Sequence, residues 1–226
     1  MSLFDEHKAE RRARIQRAAR QLVAERGYDG LTMRDLAHAA RVSVPTLYNL
    51  FGSKDAILIA ELESMVGTVR AFLTAPSGSF FARGFAAFDA GMRLIEQSPE
   101  FFRAVTRMFL TSRDSAPMRN RADAGFVAIL RDNLAAAKAA GQLAEWADPE
   151  TVATHALALY NSWYLRWALG EMDLAAFRAA ASSGMAHVLL GVARGAYADE
   201  VLAAVRALPP VSVTPTQEVP DAKSHD

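Results

Sequence analysis

Side chains that can hydrogen-bond to phosphates and to the edges of bases are concentrated between Val42 and Lys54. Thr46 and Tyr48 carry hydroxyl groups, Asn49 carries an amide, and Lys54 adds a positive charge. Hydroxyl groups, an ammonium group and the positively polarised start of a helix suit phosphate, whereas an amide can pair with adenine or guanine. These groups act together only if one small element presents them on the same side.

The spacing predicts that this element is a helix of barely two turns. Ser43 is its expected N-cap, because a Ser side chain just before a helix accepts a bond from a free backbone N–H, and Gly52 ends it. Val42 and Leu47 occupy the two positions of a hydrophobic staple. The face that must pack against neighbouring helices consists of Leu47, Leu50 and Phe51. The residues predicted to point outward are Pro45, Thr46, Tyr48 and Asn49.

The preceding segment has the same helix-start pattern. Thr32 is a candidate N-cap, with Asp35 three residues later in a variant of the capping box. Leu31 and Leu36 stand at the staple positions, and Arg41-Val42 leaves room only for a tight turn. Two short helices joined by three or four residues make a helix-turn-helix, whose second helix is shaped to enter the major groove of DNA.

These residues resemble the tetracycline-repressor (TetR) family of bacterial transcription regulators. The resemblance is specific, it covers roughly the first quarter of the chain, and the remainder resembles the family only in being helical. The matching residues are Ile15, Ala18, Ala19, Leu22, Val23, Arg26 to Tyr28, Leu31-Thr32, Leu36-Ala37, Val42-Ser43, Thr46-Leu47-Tyr48, Phe51 and Ser53-Lys54.

The resemblance implies a DNA-binding surface centred on the second short helix. The residues it assigns to base or near-base contacts are Val44, Pro45, Asn49 and Arg34. The phosphate contacts it implies are Thr46, Tyr48 and Lys54, with Ser43 at the helix start. The alternative is that Thr46 and Tyr48 only pack within the module.

Two positions depart from the family pattern. Leu50 stands where an aromatic residue or His is usual, so one phosphate contact that the family pattern implies is in doubt here. Arg41 stands where Gly is common in the turn, and it is a costlier residue if that position needs positive φ.

Composition and charge distribution limit the classes of protein to which the chain can belong. Of the 226 residues 51% are hydrophobic, which is ample for a core, and the lack of Cys excludes disulfides and thiolate chemistry. The charged N-terminus holds no signal-peptide segment and no run of about 18 apolar residues occurs, so we expect a soluble cytoplasmic protein without a membrane span. Residues 1–54 hold 10 Lys and Arg against 6 Asp and Glu, and the remainder holds 15 against 19. A basic module on an acidic body is expected when only one end meets phosphate.

Helical periodicity along the whole chain predicts an all-α fold. We expect an N-terminal three-helix helix-turn-helix DNA-binding domain at residues 1–54 and a bundle of about six helices for effector binding and dimerisation at 55–208. Residues 209–226 contain four Pro and are expected to form a disordered tail. Residues 111–117 are predicted to be a loop that includes Pro117.

Aromatic and Met side chains of the bundle are candidates for an effector pocket, which the family resemblance also implies. Core packing explains any one of them equally well, although Tyr and Trp add polar handles to apolar area as organic-ligand pockets do. Arg166 could pair with an acidic effector, stack on Trp163 or bind a carboxylate of the protein, and His155 is more typical of a structural His than of a ligand. The candidate effector-binding residues are Phe102, Met108, Phe109, Phe126, Leu130, Tyr160, Trp163, Tyr164 and Trp167.

A homodimer is expected because one recognition helix reads only a few base pairs, and two of them about 34 Å apart would read a palindrome. The last two bundle helices form the interface in the family. A mostly small stripe there would let helices approach closely, either between two chains or inside one. Its residues are Ala176, Ala180, Gly184, Val188 and Gly191.

An enzyme is the rival class, and the sequence does not favour it. The five His residues show no metal-ligand spacing, and neither a Gly-rich phosphate loop nor a nucleophile with a base stands out, so we expect no metal, cofactor or catalytic residue. The expected protein is a ligand-responsive transcriptional regulator, a repressor released from a palindromic operator by a small lipophilic or aromatic effector. The alternative is a helix-turn-helix DNA-binding protein without effector response.

Overall fold

The all-α architecture is confirmed by a computed structural model that describes residues 3–73, 78–111 and 116–211. Within these ranges no β-strand forms, apart from an isolated bridge between Leu143 and Ala193, and no helix has the length and apolarity needed to span a bilayer. The helices are α1 (Leu3–Arg26), α2 (Met33–Ala39), α3 (Val44–Phe51), α4 (Lys54–Leu73), α5 (Phe80–Gln97), α6 (Pro99–Thr111), α7 (Ala116–Ala139), α8 (Pro149–Ala168), α9 (Leu174–Val192) and α10 (Gly195–Ala207).

The helix-turn-helix forms from α2 and α3 at the predicted positions, because the expected side chains cap the helix ends. Ser43 accepts a hydrogen bond from the backbone N–H of Thr46 at 3.2 Å, and Thr32 accepts one from the N–H of Asp35 at 3.1 Å. Gly52 ends α3 with a φ of +83°. Local sequence therefore determines where both short helices begin and end.

The turn between α2 and α3 does require a left-handed residue. Arg41 has a φ of +51°, and the next N–H, from Val42, donates to the carbonyl of Ala37 at 2.9 Å. This conformation costs an L-residue about 1 kcal/mol or more. Arg41 in place of Gly therefore destabilises the turn in this chain.

Burial divides α3 into the two predicted faces. Leu47 is fully buried against the core that α1, α2 and α4 share, and Leu50 and Phe51 are partly buried on the same core. Tyr48 and Asn49 are exposed on the other side. A helix of eight residues is thus held by its neighbours rather than by its own stability.

The bundle consists of α4 to α10, which are seven helices in the described part of the chain rather than about six. One predicted boundary was wrong: α7 already begins at Ala116, so Pro117 lies in its first turn instead of a loop. Proline is tolerated there because the first N–H groups of a helix have no intrahelical partner. Residues 112–115 and 212–226, which include most of the predicted loop and tail, lie outside the described residues.

Two hydrophobic clusters make up the core. The larger cluster joins α1–α4 to α5, α6, the C-terminal half of α8 and the N-terminal half of α9, and includes Ile15, Leu47 and Trp167. The smaller cluster joins α7, α8, α9 and α10, and includes Leu134 and Tyr197. The space between the two clusters holds the cavity described below.

Candidate DNA-binding surface and bundle cavity

The exposed side of α3 carries the hydrogen-bonding groups predicted to contact DNA. Tyr48 is 53% exposed, and Asn49 and Pro45 are exposed beside it. Thr46 and Val44 are partly buried, and the Thr46 hydroxyl lies 2.7 Å from that of Ser43. Arg34, which the sequence analysis also assigned to the DNA-binding surface, is exposed on α2. The structure thus brings this set to the surface of α2, α3 and the start of α4, and its role in DNA binding stays a prediction.

Two arginines of α1 hold the ends of α2 and α3. Arg12 Nη1 donates to the carbonyl of Leu50 at 2.6 Å and its guanidinium stacks 4.1 Å above the Phe51 ring. Arg14 Nε donates to the carbonyl of Ala40 at 2.9 Å. Their positioning role was missed because it depends on how α1 crosses the short helices.

Lys54 has a structural contact in addition to its predicted one. Its Nζ donates to the carbonyls of Tyr28 and Leu31 at 3.3 and 3.4 Å, and lies 4.1 Å above the Tyr28 ring. The Tyr28 hydroxyl donates to Asp55 Oδ1 at 2.9 Å, and burial together with this carboxylate raises the pKa of Tyr28 to about 12. The start of α4 is thereby fixed to the turn that follows α1.

A cavity of about 140 Å³ lies where the two core clusters meet. Six helices contribute to it, and the wall is almost entirely hydrocarbon. The residues from α4 and α5 are Val69, Phe81, Gly84, Phe85, Ala87, Phe88 and Gly91. Those from α7 and α8 are Phe126, Ile129, Leu130, Asn133, Leu157 and Tyr160. Those from α9 and α10 are Ser182, Met185, Ala186, Leu189 and Tyr197.

Three of the nine candidate effector residues, Phe126, Leu130 and Tyr160, lie on this wall. Phe102, Met108 and Trp167 are buried in the larger core cluster, and Phe109, Trp163 and Tyr164 are partly buried against it. The structure therefore gathers the nine residues in one half of the bundle but puts only three on the cavity. The candidates predicted from the sequence did not include α5, although its Phe81, Phe85 and Phe88 recur with helical spacing.

A chain of aromatic rings leads from the cavity to α6. Tyr160 contacts Phe88 with ring centroids 6.3 Å apart and Tyr164 with centroids 6.1 Å apart. The Tyr164 hydroxyl donates to the carbonyl of Phe102 at 3.1 Å and accepts from Thr106 Oγ1 at 3.1 Å. Cavity wall and α6 are therefore joined by direct contacts.

Polar contacts then connect the bundle to the first helix and the turn after it. Arg107 of α6 lies 3.4 Å from the carboxylate of Asp29, between α1 and α2. Arg20 of α1 lies 3.3 Å from the buried carboxylate of Glu61 in α4. Burial outweighs this guanidinium and raises the pKa of Glu61.

The other candidates from the bundle sequence have ordinary surroundings. Arg166 pairs with Glu171 at 3.2 Å and stacks 5.7 Å from the Trp163 ring, so it binds a carboxylate of the protein. His155 is exposed. No cluster of three or more potential metal ligands occurs in the segments that the structure describes.

Members of the small stripe on α9 differ in their surroundings. Ala180 is buried, and a Cβ on Gly184 would stand 2.6 Å from Leu159 of α8, so these two residues let α9 pack closely on α8 within one chain. Ala176 and Val188 are partly buried, and Gly191 is exposed with nothing within 4 Å of an added Cβ. The use of this stripe between two chains stays a prediction.

Comparison with known proteins identifies the N-terminal region. Residues 15–60 match the family model described as bacterial regulatory proteins, tetR family. The chain is 32% identical over 117 residues to the HTH-type transcriptional regulator AlkX of Mycobacterium tuberculosis, covering 47% of this chain and 56% of AlkX. It is 41% identical over 59 residues to the HTH-type transcriptional regulator HbdR of Aromatoleum sp., covering 26% of each chain. The matched region thus spans about half the length of AlkX and a quarter of HbdR.

Solved structures extend the likeness to the whole fold. The TetR-family transcriptional repressor FadR of Thermus thermophilus, solved in complex with lauroyl-CoA, superimposes with a TM-score of 0.65 at 21% identity. The superposition covers 80% of this chain and 94% of that structure, which shows that the bundle as well as the helix-turn-helix has the same architecture. Residues 15–60 therefore match the tetR family of bacterial regulatory proteins, and the chain has the fold of a TetR-family structure.

Proposed function

We propose that this chain is a ligand-responsive, DNA-binding transcriptional regulator that acts as a repressor. The observation that carries the proposal is the exposed side of α3, where Tyr48, Asn49 and Pro45 stand free while Leu47 anchors the helix in the core. A rigidly supported helix with unpaired polar groups outside is what insertion into a major groove requires. The named relatives are transcriptional regulators, which supports this role over an enzymatic one.

Phosphate contacts position the protein and base contacts give it specificity. We assign Tyr48, Thr46 and the N-terminus of α4 at Lys54 to phosphates, and Asn49, Val44, Pro45 and Arg34 to bases or their immediate surroundings. Lys54 already contacts two carbonyls, so its charge acts together with the free N–H groups of the helix start rather than through a freely moving side chain.

A homodimer is part of the proposal, with the α8–α9 pair at its centre. The close approach at Gly184 makes α8 and α9 a single packed unit. Leu165 of α8 and Leu169, the C-cap that follows it, are 36% and 56% exposed, and with the exposed Gly191 of α9 they leave apolar surface on this unit. Pairing two such units would set two α3 helices to read a palindromic operator.

The cavity is proposed as the site of a small lipophilic or aromatic effector whose binding releases the operator. Helix α4 connects the two sites: Val69 lines the cavity, and Lys54 contacts the recognition module about 22 Å away along the helix. A second connection runs through Tyr164 to α6 and from Arg107 to Asp29. Coupling of this kind is reciprocal, so bound operator must weaken effector binding by the same factor.

Selection of binding sites from random double-stranded DNA at stated salt tests the DNA-binding part. Asn49→Ala should relax the preference at one position of the selected site, whereas Tyr48→Phe should weaken binding to all sequences alike. Both residues are exposed, so the folded module should survive each change. Asn120→Ala, which changes an exposed residue of the same type on α7, is the matched control and should alter neither property.

An enriched palindrome that depends on Asn49 would support the proposal and supply the probe for effector screening. Absence of any enriched site from an intact dimer would contradict sequence-specific regulation. Operator binding that no cavity ligand alters would instead favour a DNA-binding protein without effector response. Light scattering at micromolar concentration tests the dimer separately, and a monomer mass would refute it.

A further inference from the structure

The cavity wall carries no charged side chain among the residues that the structure describes. Its polar members are Asn133, Tyr160, Ser182 and Tyr197, all neutral. Burial, together with the carboxylate of Glu200, raises the pKa of the Tyr197 phenol to about 12. An anion entering this space would lose its hydration without gaining a counter-ion from the described wall.

Three hydroxyl groups on this wall have no hydrogen-bond partner within the described part of the chain: those of Tyr160, Ser182 and Tyr197. Neighbouring polar side chains are satisfied. The Tyr164 hydroxyl bonds to Phe102 and Thr106, and Asn133 Nδ2 donates to the carbonyl of Phe80 at 3.0 Å. None of these three hydroxyls is a fully buried atom without a partner, so each remains accessible on an otherwise apolar wall and can bond to a molecule in the cavity.

Size limits that partner to a compact molecule. The cavity holds about 140 Å³. A cavity of about 150 Å³ lined by Leu, Ile and Phe in another protein accommodates benzene. The exposed ring of Phe85 stands at its edge, 40% accessible, where a ligand could enter.

We infer that the cavity binds an uncharged, compact aromatic or alicyclic molecule with one hydrogen-bonding oxygen, such as a phenol, alcohol or ketone, and that the Tyr160 and Ser182 hydroxyls bind this oxygen. Carboxylates and phosphate-bearing thioesters are excluded by the uncharged wall. The inference rests on the proposed effector site and adds the chemical class of its ligand. Burial strongly raises the pKa of Tyr160, so its hydroxyl remains a neutral donor at physiological pH.

Calorimetry with three probes of one shape tests this inference on the full chain at neutral pH. The probes are para-ethylphenol, ethylbenzene and para-ethylbenzoate, which differ only in the group opposite the ethyl chain. We expect the phenol to bind roughly tenfold more tightly than the hydrocarbon, as one added hydrogen bond provides, and the benzoate to bind at least tenfold more weakly than the phenol. Tyr160→Phe should bring the phenol to the affinity of the hydrocarbon while leaving the hydrocarbon unchanged.

Ser182→Ala is the second variant, and it should lower the ratio of phenol to hydrocarbon affinity without creating a large void. Tyr164→Phe is the matched control, because its hydroxyl is already bonded to α6 and does not line the cavity. Preferential binding of the benzoate, no binding of any probe, or an unchanged ratio in both Tyr160→Phe and Ser182→Ala would overturn the inference. Operator binding without ligand is measured on the same preparations, so failure of DNA binding is recognised independently of the ligand class.

Discussion

The recognition module carries its unpaired polar groups on the outside of the protein, whereas the bundle carries hydroxyl groups on the wall of an internal cavity. In the module the hydroxyls of Thr32 and Tyr28 are bonded to Asp35 and Asp55, while Tyr48 and Asn49 point to solvent. In the bundle, charged surface side chains form ion pairs. Among the described residues, hydroxyls without a partner, such as those of Tyr160 and Ser182, belong to the cavity wall. The module is therefore prepared for a large partner that stays outside, and the bundle for a small one that enters.

The packing of side chains also differs between the recognition module and the bundle. Leu47 at the centre of the module has no exposed surface, whereas the cavity leaves its wall residues without neighbours on one side. An empty volume deprives its lining of dispersion contacts. The open space of the cavity therefore costs the bundle some stability.

The largest expected effect is loss of the module's central side chain. Leu47→Ala should lower the free energy of unfolding by about 2–5 kcal/mol, because it removes a fully buried side chain from the core. Leu130→Ala on the cavity wall should cost about half as much, since part of that side chain already faces empty space. Urea titration followed by circular dichroism measures both. Equal costs would contradict the difference in packing.

Two glycines of α9 give opposite effects of intermediate size. Gly184→Ala should destabilise by about 1–3 kcal/mol, because the new Cβ would stand 2.6 Å from Leu159 and push α8 from α9. Gly191→Ala meets nothing within the chain and should stabilise by up to about 1 kcal/mol through helix propensity. Thermal melts and dimer dissociation are measured together. Weaker dimerisation of Gly191→Ala alone would identify that residue as part of the interface between chains.

A methyl group added to the cavity should stabilise the protein and impair its ligand site. Gly84→Ala would place a Cβ 3.5 Å from the Asn133 amide, at ordinary contact distance, on the cavity wall. We expect a gain of about 0.5–1 kcal/mol in the free energy of unfolding and weaker binding of para-ethylphenol. Gly67→Ala, on α4 with nothing within 4 Å of the new Cβ, is the control for helix propensity alone. A ligand affinity that Gly84→Ala does not change would remove that wall from the site.

The smallest effect concerns the ion pair that joins α1 to α4. The pKa of Glu61 is raised in the folded protein, so the protonated form is favoured and stability from this group increases as pH falls towards the raised pKa and is lost as pH rises through it. Glu61→Gln should therefore change stability less at acidic than at neutral pH, by an amount below that of the glycine variants. Urea unfolding of both proteins at several pH values measures this difference. The wild type should be more stable relative to Glu61→Gln at acidic than at neutral pH, so a wild-type advantage that appears only at neutral pH, where Glu61 is charged, would contradict the assignment.

Features that depend on neighbouring residues were predicted from the sequence, whereas features that depend on how distant helices cross were not. The N-caps Ser43 and Thr32, the ends at Gly52 and Arg41, and the outward side of α3 each depend on residues within one or two turns. The positioning roles of Arg12, Arg14 and Lys54 depend on how α1 and α4 cross the short helices, and sequence periodicity contains no record of crossing geometry. The start of α7 was misplaced because Pro reads equally well as a loop residue and as a first-turn residue.

Capping and amphipathic spacing are local, so the residues alone predicted an all-helical chain, a helix-turn-helix from α2 and α3, and the outward position of Tyr48 and Asn49. The assembled helices were needed to show which aromatic residues line the cavity, that α5 supplies much of its wall, and that the hydroxyls of Tyr160 and Ser182 find no partner among the described residues. Those properties arise where six helices far apart in sequence fail to fill the space between two core clusters. A space left by packing has no local pattern, so it appears only once the helices are assembled.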